Sequence, residues 1–318
     1  MKTLREQANE IMSEDTTRDV KREKLLKIGL TATDIQMLFF AERMASRDES
    51  APRRVRRAVE YTIEQILARY TFGVEIECYH VRVNELINNA TRRGLEMHSE
   101  GYNHRDNDTY YKLVSDGSIR GDNPIECVSP ILNGARGGFD TLKACCAALR
   151  EVGAMVNRST GLHVHVGGRI TEKQYVNTSA NYYWLESVID TFMSPSRREN
   201  YYAKKLVGNV DSIVRARTFR QVNEAMHRDR YYKINCESWA RHHTIEFRHH
   251  QGTTDYDKIS YWARFCIKLV HWSADNRLNS RVNSIDEIPF LTDDEKSFFK
   301  DRANDFAGMA MVDQLMTM

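Results

Sequence analysis

Apolar positions recur at helical spacing through the first 69 residues, then switch at Thr71 to strict alternation. In "VKREKLLKIGLTATDIQMLFFAERMA" they form two amphipathic helices, interrupted at Gly29 and restarted with Thr31 or Thr33 as N-cap. "RRVRRAVEYTIEQILARY" follows, with Val55, Val59, Ile63, Ile66 and Leu67 at helical spacing. From Thr71, "TFGVEIECYHV" sets Phe72, Val74, Ile76 and Cys78 against Gly73, Glu75, Glu77 and Tyr79, which predicts a strand with one apolar face. A helix in "RVNELINNATRRG" comes next. Two short strands in "YYKLVSDGSIRGDNPIECVSPIL" then flank a turn at Asp116-Gly117, the second bounded by Pro124 and Pro130. "GARGGFDTLKACCAALREVGA" reads as a loop feeding a helix. "TGLHVHVGG" reads as a strand with Leu162, Val164 and Val166 opposite His163 and His165. Residues 171–230 are mostly helical and rich in Tyr and Arg. "RYYKINCESWARHHTIEFRHHQGT" predicts a hairpin, and "DKISYWARFCIKLVHWSAD" a long amphipathic helix before a charged helical tail.

The polar faces of these strands carry ionisable groups in place of the usual solvated mixture. Glu75 and Glu77, then Glu126, then His163 and His165, then Thr244, Glu246, Arg248 and His250 each stand opposite an apolar face. Residues two apart on a strand point the same way and lie roughly 7 Å apart. If the strands share one sheet, its polar face gathers four carboxylates, several imidazoles and a guanidinium. Crowded carboxylates repel one another unless divalent cations sit between them. An oxygen-rich set with one imidazole suits Mg²⁺ or Mn²⁺, and Arg248 beside it suits a phosphate. Metals with an arginine are the equipment of phosphoryl transfer. Taken singly, each piece has a plainer meaning: a solvated Glu-x-Glu strand, a satisfied imidazole pair, an ordinary loop in "GARGGF", a turn aspartate in "SDGS".

Composition narrows the class without changing this picture. The 318 residues are 41% hydrophobic and 28% charged, with a formal net charge of +2, so no global basic field argues for nucleic acid. No apolar run approaches the ~20 residues of a membrane helix, and the opening segment has no apolar signal-peptide core. The six cysteines (Cys78, Cys127, Cys145, Cys146, Cys236, Cys266) show no CxxC spacing, so buried free thiols are expected and, with them, a cytoplasmic location.

The order "FGVEIE", "SDGSI" with "ECVSP", "GLHVHVG", and "YYKIN" with "TIEFRHHQGT" resembles the amidoligase family, carboxylate–amine ligases of the glutamine synthetase and glutamate–cysteine ligase fold. The resemblance implies an α+β fold: a curved antiparallel sheet with a polar concave face, backed by helices. It covers a catalytic domain over 70–275, leaving a helical extension over 1–69 and a helical tail over 276–318. By position it implies metal ligands at Glu75, Glu77, Glu126, His163 (with His165 alongside) and Glu246, and a phosphoryl-holding arginine at Arg248. Asp116 and Ser118 fall in the family's substrate or nucleotide loop, and Tyr232 and Asn235 in its "Y..N" element. The implied reaction joins a carboxylate substrate to an amine substrate in an isopeptide-like amide bond. It would use ATP and two or three Mg²⁺ or Mn²⁺ ions, with His165, His250 or Asp116 open as the base.

Two other readings use the same residues. His163 and His165 with His249 or His250 and a carboxylate would suit a zinc hydrolase. The arginines Arg53, Arg54, Arg56 and Arg57, with the 213–233 segment (Arg215, Arg217, Arg220, Arg228, Arg230 beside Phe219, Tyr231 and Tyr232), would suit nucleic acid or another partner.

Overall fold

The computed structural model describes residues 4–14, 16–30, 35, 63–101, 107, 109–206, 210–235 and 237–316. The chain divides into two compact units, Met1–Thr62 and Ile63–Met318. In the first, short helices Leu4–Ser13 and Arg18–Lys27 bury Ala8, Ile11 and Leu25, with Ile35, in a small cluster. Gly29 follows the second helix at φ +97°, a conformation that favours glycine. The expected restart at Thr31 or Thr33 and the arginines at 53–57 lie outside the described residues.

The second unit is built on an eight-stranded sheet. Its strands are β1 (Tyr70–Cys78), β2 (Met97–Gly101), β3 (Tyr111–Val114), β4 (Ile125–Val128), β5 (Leu132–Asn133), β6 (Gly161–Gly168), β7 (Ile234–Asn235) and β8 (Ile245–Gln251). They run in the order β2-β3-β4-β1-β6-β8-β7, with β5 also paired to β1. All pairs are antiparallel except β2 with β3. The period-two pattern decides the faces. Val74 lies opposite Val164, which lies opposite Phe247, while Ile76 lies opposite both Cys127 and Leu162. These side chains are buried in one apolar core with helices Gly138–Glu151, Glu172–Thr191 and Tyr256–Trp272, the last of which packs on β1 and β6. Each such side chain contributes about 1.5–3 kcal/mol by leaving water.

The segment read as a hairpin is more elaborate. β7 and β8 do pair antiparallel, but a short helix, Glu237–His242, joins them. Asn235 Oδ1 accepts from Glu237 N at 2.9 Å, and Ser238 Oγ donates to the carbonyls of Asn235 (3.0 Å) and Thr244 (2.8 Å), which locks the connection. A second departure lies in β8 itself. Phe247 is opposite Val164 and His250 opposite Leu162, so Arg248 and His249 together face the single residue His163. This bulge shifts the alternation by one residue. His250 therefore sits on the apolar side, against Trp262 (5.9 Å between rings), with its Nδ1 2.7 Å from the Gln251 carbonyl.

The charged C-terminal segment packs on the same unit. Lys268 on helix Tyr256–Trp272 meets Glu295 at 2.5 Å with both side chains 5% exposed. Tyr261 stacks on Phe298 at 3.9 Å. Lys268→Ala would strand a buried carboxylate and is expected to lower unfolding stability by about 3 kcal/mol. The pair replacement Lys268→Met with Glu295→Leu is expected to recover most of that loss. Urea unfolding checks both, and a Lys268→Ala midpoint matching the wild type would remove the pair from the account. Among the described residues no helix is long and apolar enough to cross a membrane.

Candidate active site

Strand register, more than any single residue, assembles the site. Glu75 is opposite His163 across β1 and β6, Glu77 opposite Glu126 across β1 and β4, and Glu246 opposite His165 on one side and Asn235 on the other. Directly paired residues project to the same face, so carboxylates from β1, β4 and β8 converge with the imidazoles of β6. His163 Nδ1 lies 2.8 Å from Glu75 and its Nε2 3.5 Å from Glu77. His165 Nε2 lies 3.2 Å from Glu75. Glu246 accepts from Arg248 Nη1 and from Asn235 Nδ2, each at 2.6 Å. Glu77 accepts from the backbone N–H of Gly161 at 2.6 Å.

Three overlapping groups have ligand atoms within 4.8 Å of one another: Glu75, Glu126 and His163; Glu75, His165 and Glu246; Glu77, Asp116 and Glu126. Glu75 and Glu126 each belong to two of them. The electrostatics are uneven across the cluster. Burial opposes ionisation of Glu75, yet His165 and His163 hold its carboxyl well below the usual range. Burial likewise opposes Glu246, and Arg248 and His165 outweigh it. His165 is pushed up to about 9, its burial overcome by Glu246 and Glu75. Glu126 goes the other way: burial and the neighbouring Glu75 and Glu77 raise it well above a normal carboxyl. The donor set is chiefly carboxylate oxygen with one imidazole in two of the groups, which fits hard divalent ions of the Mg²⁺ or Mn²⁺ kind.

The cluster opens into a cavity of about 670 Å³. Glu75, Asp116, Glu126, His163, His165, Asn235, Glu246 and Arg248 all line it, as do Lys112, Arg228, Arg230 and Arg241. Three expected residues are placed elsewhere. His250 is turned to the core by the β8 bulge and is held neutral by burial, which corrects its assignment to the polar face. Tyr232 packs against the core, its backbone bridged to Lys204. Ser118 stays on the turn, its N–H donating to Asp116 Oδ1 at 2.6 Å, outside the cavity lining. His249 is also buried, between Tyr182 (2.7 Å) and Asp190 (2.7 Å), so neither member of that histidine pair joins His163 and His165 as a zinc site would require. The 213–233 arginines are dispersed: Arg220 pairs with Glu224 at 2.8 Å and Arg217 donates to the carbonyls of Arg215 and Ala216.

One residue of the site carried no sequence signal. Arg197, in the single-turn helix Pro195–Arg198, is 2% exposed and donates to the carbonyl of Arg248. Its guanidinium lies within the field of Glu77, while burial lowers its pKa to about 10. "SPSRREN" announces a helix start through Ser194 and Pro195, but nothing in it says which arginine is buried beside the site.

Residues 68–270 match a family model described as "Putative amidoligase enzyme". No curated protein sequence matches the chain.

Proposed function

Because the chain belongs to the amidoligase family, we propose that it is an ATP-dependent carboxylate–amine ligase whose catalytic domain spans 70–275. The observation that carries this reading is Glu126. It is 8% exposed, and the groups that act on it most strongly are Glu75, Glu77 and Asp116, all of its own sign, with the His163 imidazole in the same cluster. A buried carboxylate among carboxylates is unfavourable until cations are supplied. Glu75, Glu77, Glu126, His163 and Glu246 would hold those ions. The ions' chemistry is to neutralise the β- and γ-phosphate oxygens of the nucleotide.

This chain's own groups do the rest. Arg248, fixed by Glu246, offers its remaining N–H donors to the transferring phosphoryl group. A carboxylate oxygen of the substrate attacks the γ-phosphorus, the bond to ADP breaks, and an acyl phosphate forms. The amine nitrogen then attacks the acyl carbon and inorganic phosphate leaves. The proton lost by nitrogen passes to a base, for which Asp116 and His165 line the cavity and His250 does not. Asn235 and the N–H of Gly161 keep the carboxylates of Glu246 and Glu77 aimed. The exposed Arg228, Arg230 and Arg241 give the cavity the charge to receive anionic parts of a substrate.

Titration calorimetry tests this without knowledge of the substrate. The wild type is expected to bind ATP only with Mg²⁺ or Mn²⁺ present, and Glu246→Gln to weaken that binding by about tenfold or more. Wild-type protein that ignores ATP with every divalent ion, while carrying tightly held zinc, would put a hydrolase in the ligase's place.

A further inference from the structure

Beside the cavity stands a cluster of three tyrosines that the metal-competent groups do not use. The rings of Tyr201, Tyr202 and Tyr231 lie 5.1, 5.1 and 5.6 Å apart, centroid to centroid. Tyr201 is 62% and Tyr202 39% exposed, the exposed aromatic side chains among the described residues. Their backbone is nevertheless fixed. Asn200 Oδ1 accepts from Tyr202 N at 2.7 Å while its Nδ2 donates to the Ser196 carbonyl at 2.6 Å. Ala203, next in the turn, is fully buried, and Lys204 N donates to the Tyr231 carbonyl at 2.8 Å. A turn this well tied holds its apolar rings toward water without a folding reason to do so. Rigid, exposed rings are what a stacking surface requires, since little ordering cost remains when a ligand arrives.

Arg248 connects this shelf to the carboxylate cluster. Its Nη1 is 2.6 Å from Glu246, its Nε 3.4 Å from the Tyr202 carbonyl, and its guanidinium carbon 5.8 Å from the Tyr231 centroid. A nucleoside triphosphate has the matching layout: an anionic chain at one end and a flat aromatic base at the other. Taking the ligase reading as its premise, we propose that the three tyrosine rings form a platform for the nucleotide: the base stacks on the Tyr201 ring, backed by Tyr231 at a 39° tilt, while Tyr202, at 88° to Tyr201, flanks its edge. The charge around the rings supports this choice of occupant. The Lys204 ammonium, paired with Asp229 at 2.5 Å, lies 5.0 Å from the Tyr201 centroid, and the guanidinium groups of Arg230 and Arg248 lie 5.1 and 5.8 Å from that of Tyr231. Such a neighbourhood repels a cationic ligand, the other usual guest of clustered aromatics, and welcomes a base attached to phosphates. Stacking on aromatic rings tolerates every base, so the platform supplies affinity more than base discrimination.

The test compares ATP with inorganic tripolyphosphate, which keeps the anionic chain and lacks the base. Binding of each to the full chain is measured by calorimetry in Mg²⁺, for the wild type and for Tyr201→Ala with Tyr202→Ala; a thermal melt confirms that the variant is folded. The wild type is expected to prefer ATP by about tenfold or more. The variant is expected to lose that preference while binding tripolyphosphate as before. Equal wild-type affinity for the two ligands, or a preference that survives in the variant, overturns the platform and leaves the ligase reading standing. Failure to bind either ligand removes the ligase reading and the platform with it. Magnesium-independent capture of single-stranded oligothymidylate, lost in the same variant, would assign the rings to a polymer's bases and overturn the proposal.

Discussion

Glu126→Gln is expected to abolish metal-dependent turnover, by about 100-fold or more, while leaving the metal-free protein as stable as the wild type or more so. The first half follows from position. Glu126 belongs to two of the three groups of converging ligand atoms. Altering a residue that merely supports a metal ligand typically costs about 10–100-fold, so loss of a shared donor should exceed that range. The second half follows from its neighbours. Glu75 has His163 and His165, Glu77 has His163 and the Gly161 N–H, and Glu246 has Arg248 and Asn235. No ion pair to Glu126 is found among the described residues, and the strongest charges acting on it are those of carboxylates. A neutral amide of the same shape relieves that repulsion. In chelator, the variant's melting temperature should equal or exceed the wild type's by about 2–4 °C, the shift that ~1 kcal/mol gives a domain of this size. In Mg²⁺ the wild type should gain stability by mass action and the variant should not. A variant that melts well below the wild type in chelator, yet still responds to Mg²⁺, would make Glu126 a structural residue and remove the main support for the ion cluster.

The polar faces of β1, β4 and β6 were legible in the sequence because period-two alternation is a local property. Phe72, Val74 and Ile76 announce which side is buried, and Glu75 and Glu77 follow from that alone. The same reasoning fails in β8 at the point where a non-local event intervenes. The extra residue opposite His163 is set by pairing with β6, and it sends His250 under the sheet while Arg248 stays above it. Alternation counted along the chain has no access to that register. The sequence marks Asp116 as a turn residue and a candidate base, and the turn is real, but the fold also brings its carboxylate to Glu77 and Glu126. Arg197 and the tyrosine platform come from connections between elements whose paths obey no period. The exposed arginines Arg228 and Arg230 stand out in the sequence only as part of a basic segment, and the fold separates them from Arg220, which spends its charge on Glu224.

Arg248→Ala is expected to cut turnover by about 10³-fold, in line with the effect of arginines that stabilise a transferring phosphoryl group. Arg248→Lys should recover little of it. The guanidinium holds Glu246 through Nη1 and reaches the Tyr202 carbonyl through Nε, and its other N–H groups remain for phosphate. A lysine ammonium is a single point charge and cannot make these contacts at once. Removing the side chain also takes one partner from Glu246, so a structural loss must be separated from a chemical one. Asn235 Nδ2 still donates to Glu246 in the variant, and Asn235 sits 5% exposed on β7. The thermal midpoint of Arg248→Ala should therefore fall far less than its activity. Kinetics then distinguish two roles. A residue acting on the transferring group lowers kcat and kcat/KM together, whereas one that only holds bound nucleotide raises KM and spares kcat. Preserved kcat with a raised KM for ATP would make Arg248 a ground-state contact and move the search for the phosphoryl-stabilising group to Arg197, whose guanidinium lies against the same stretch of β8.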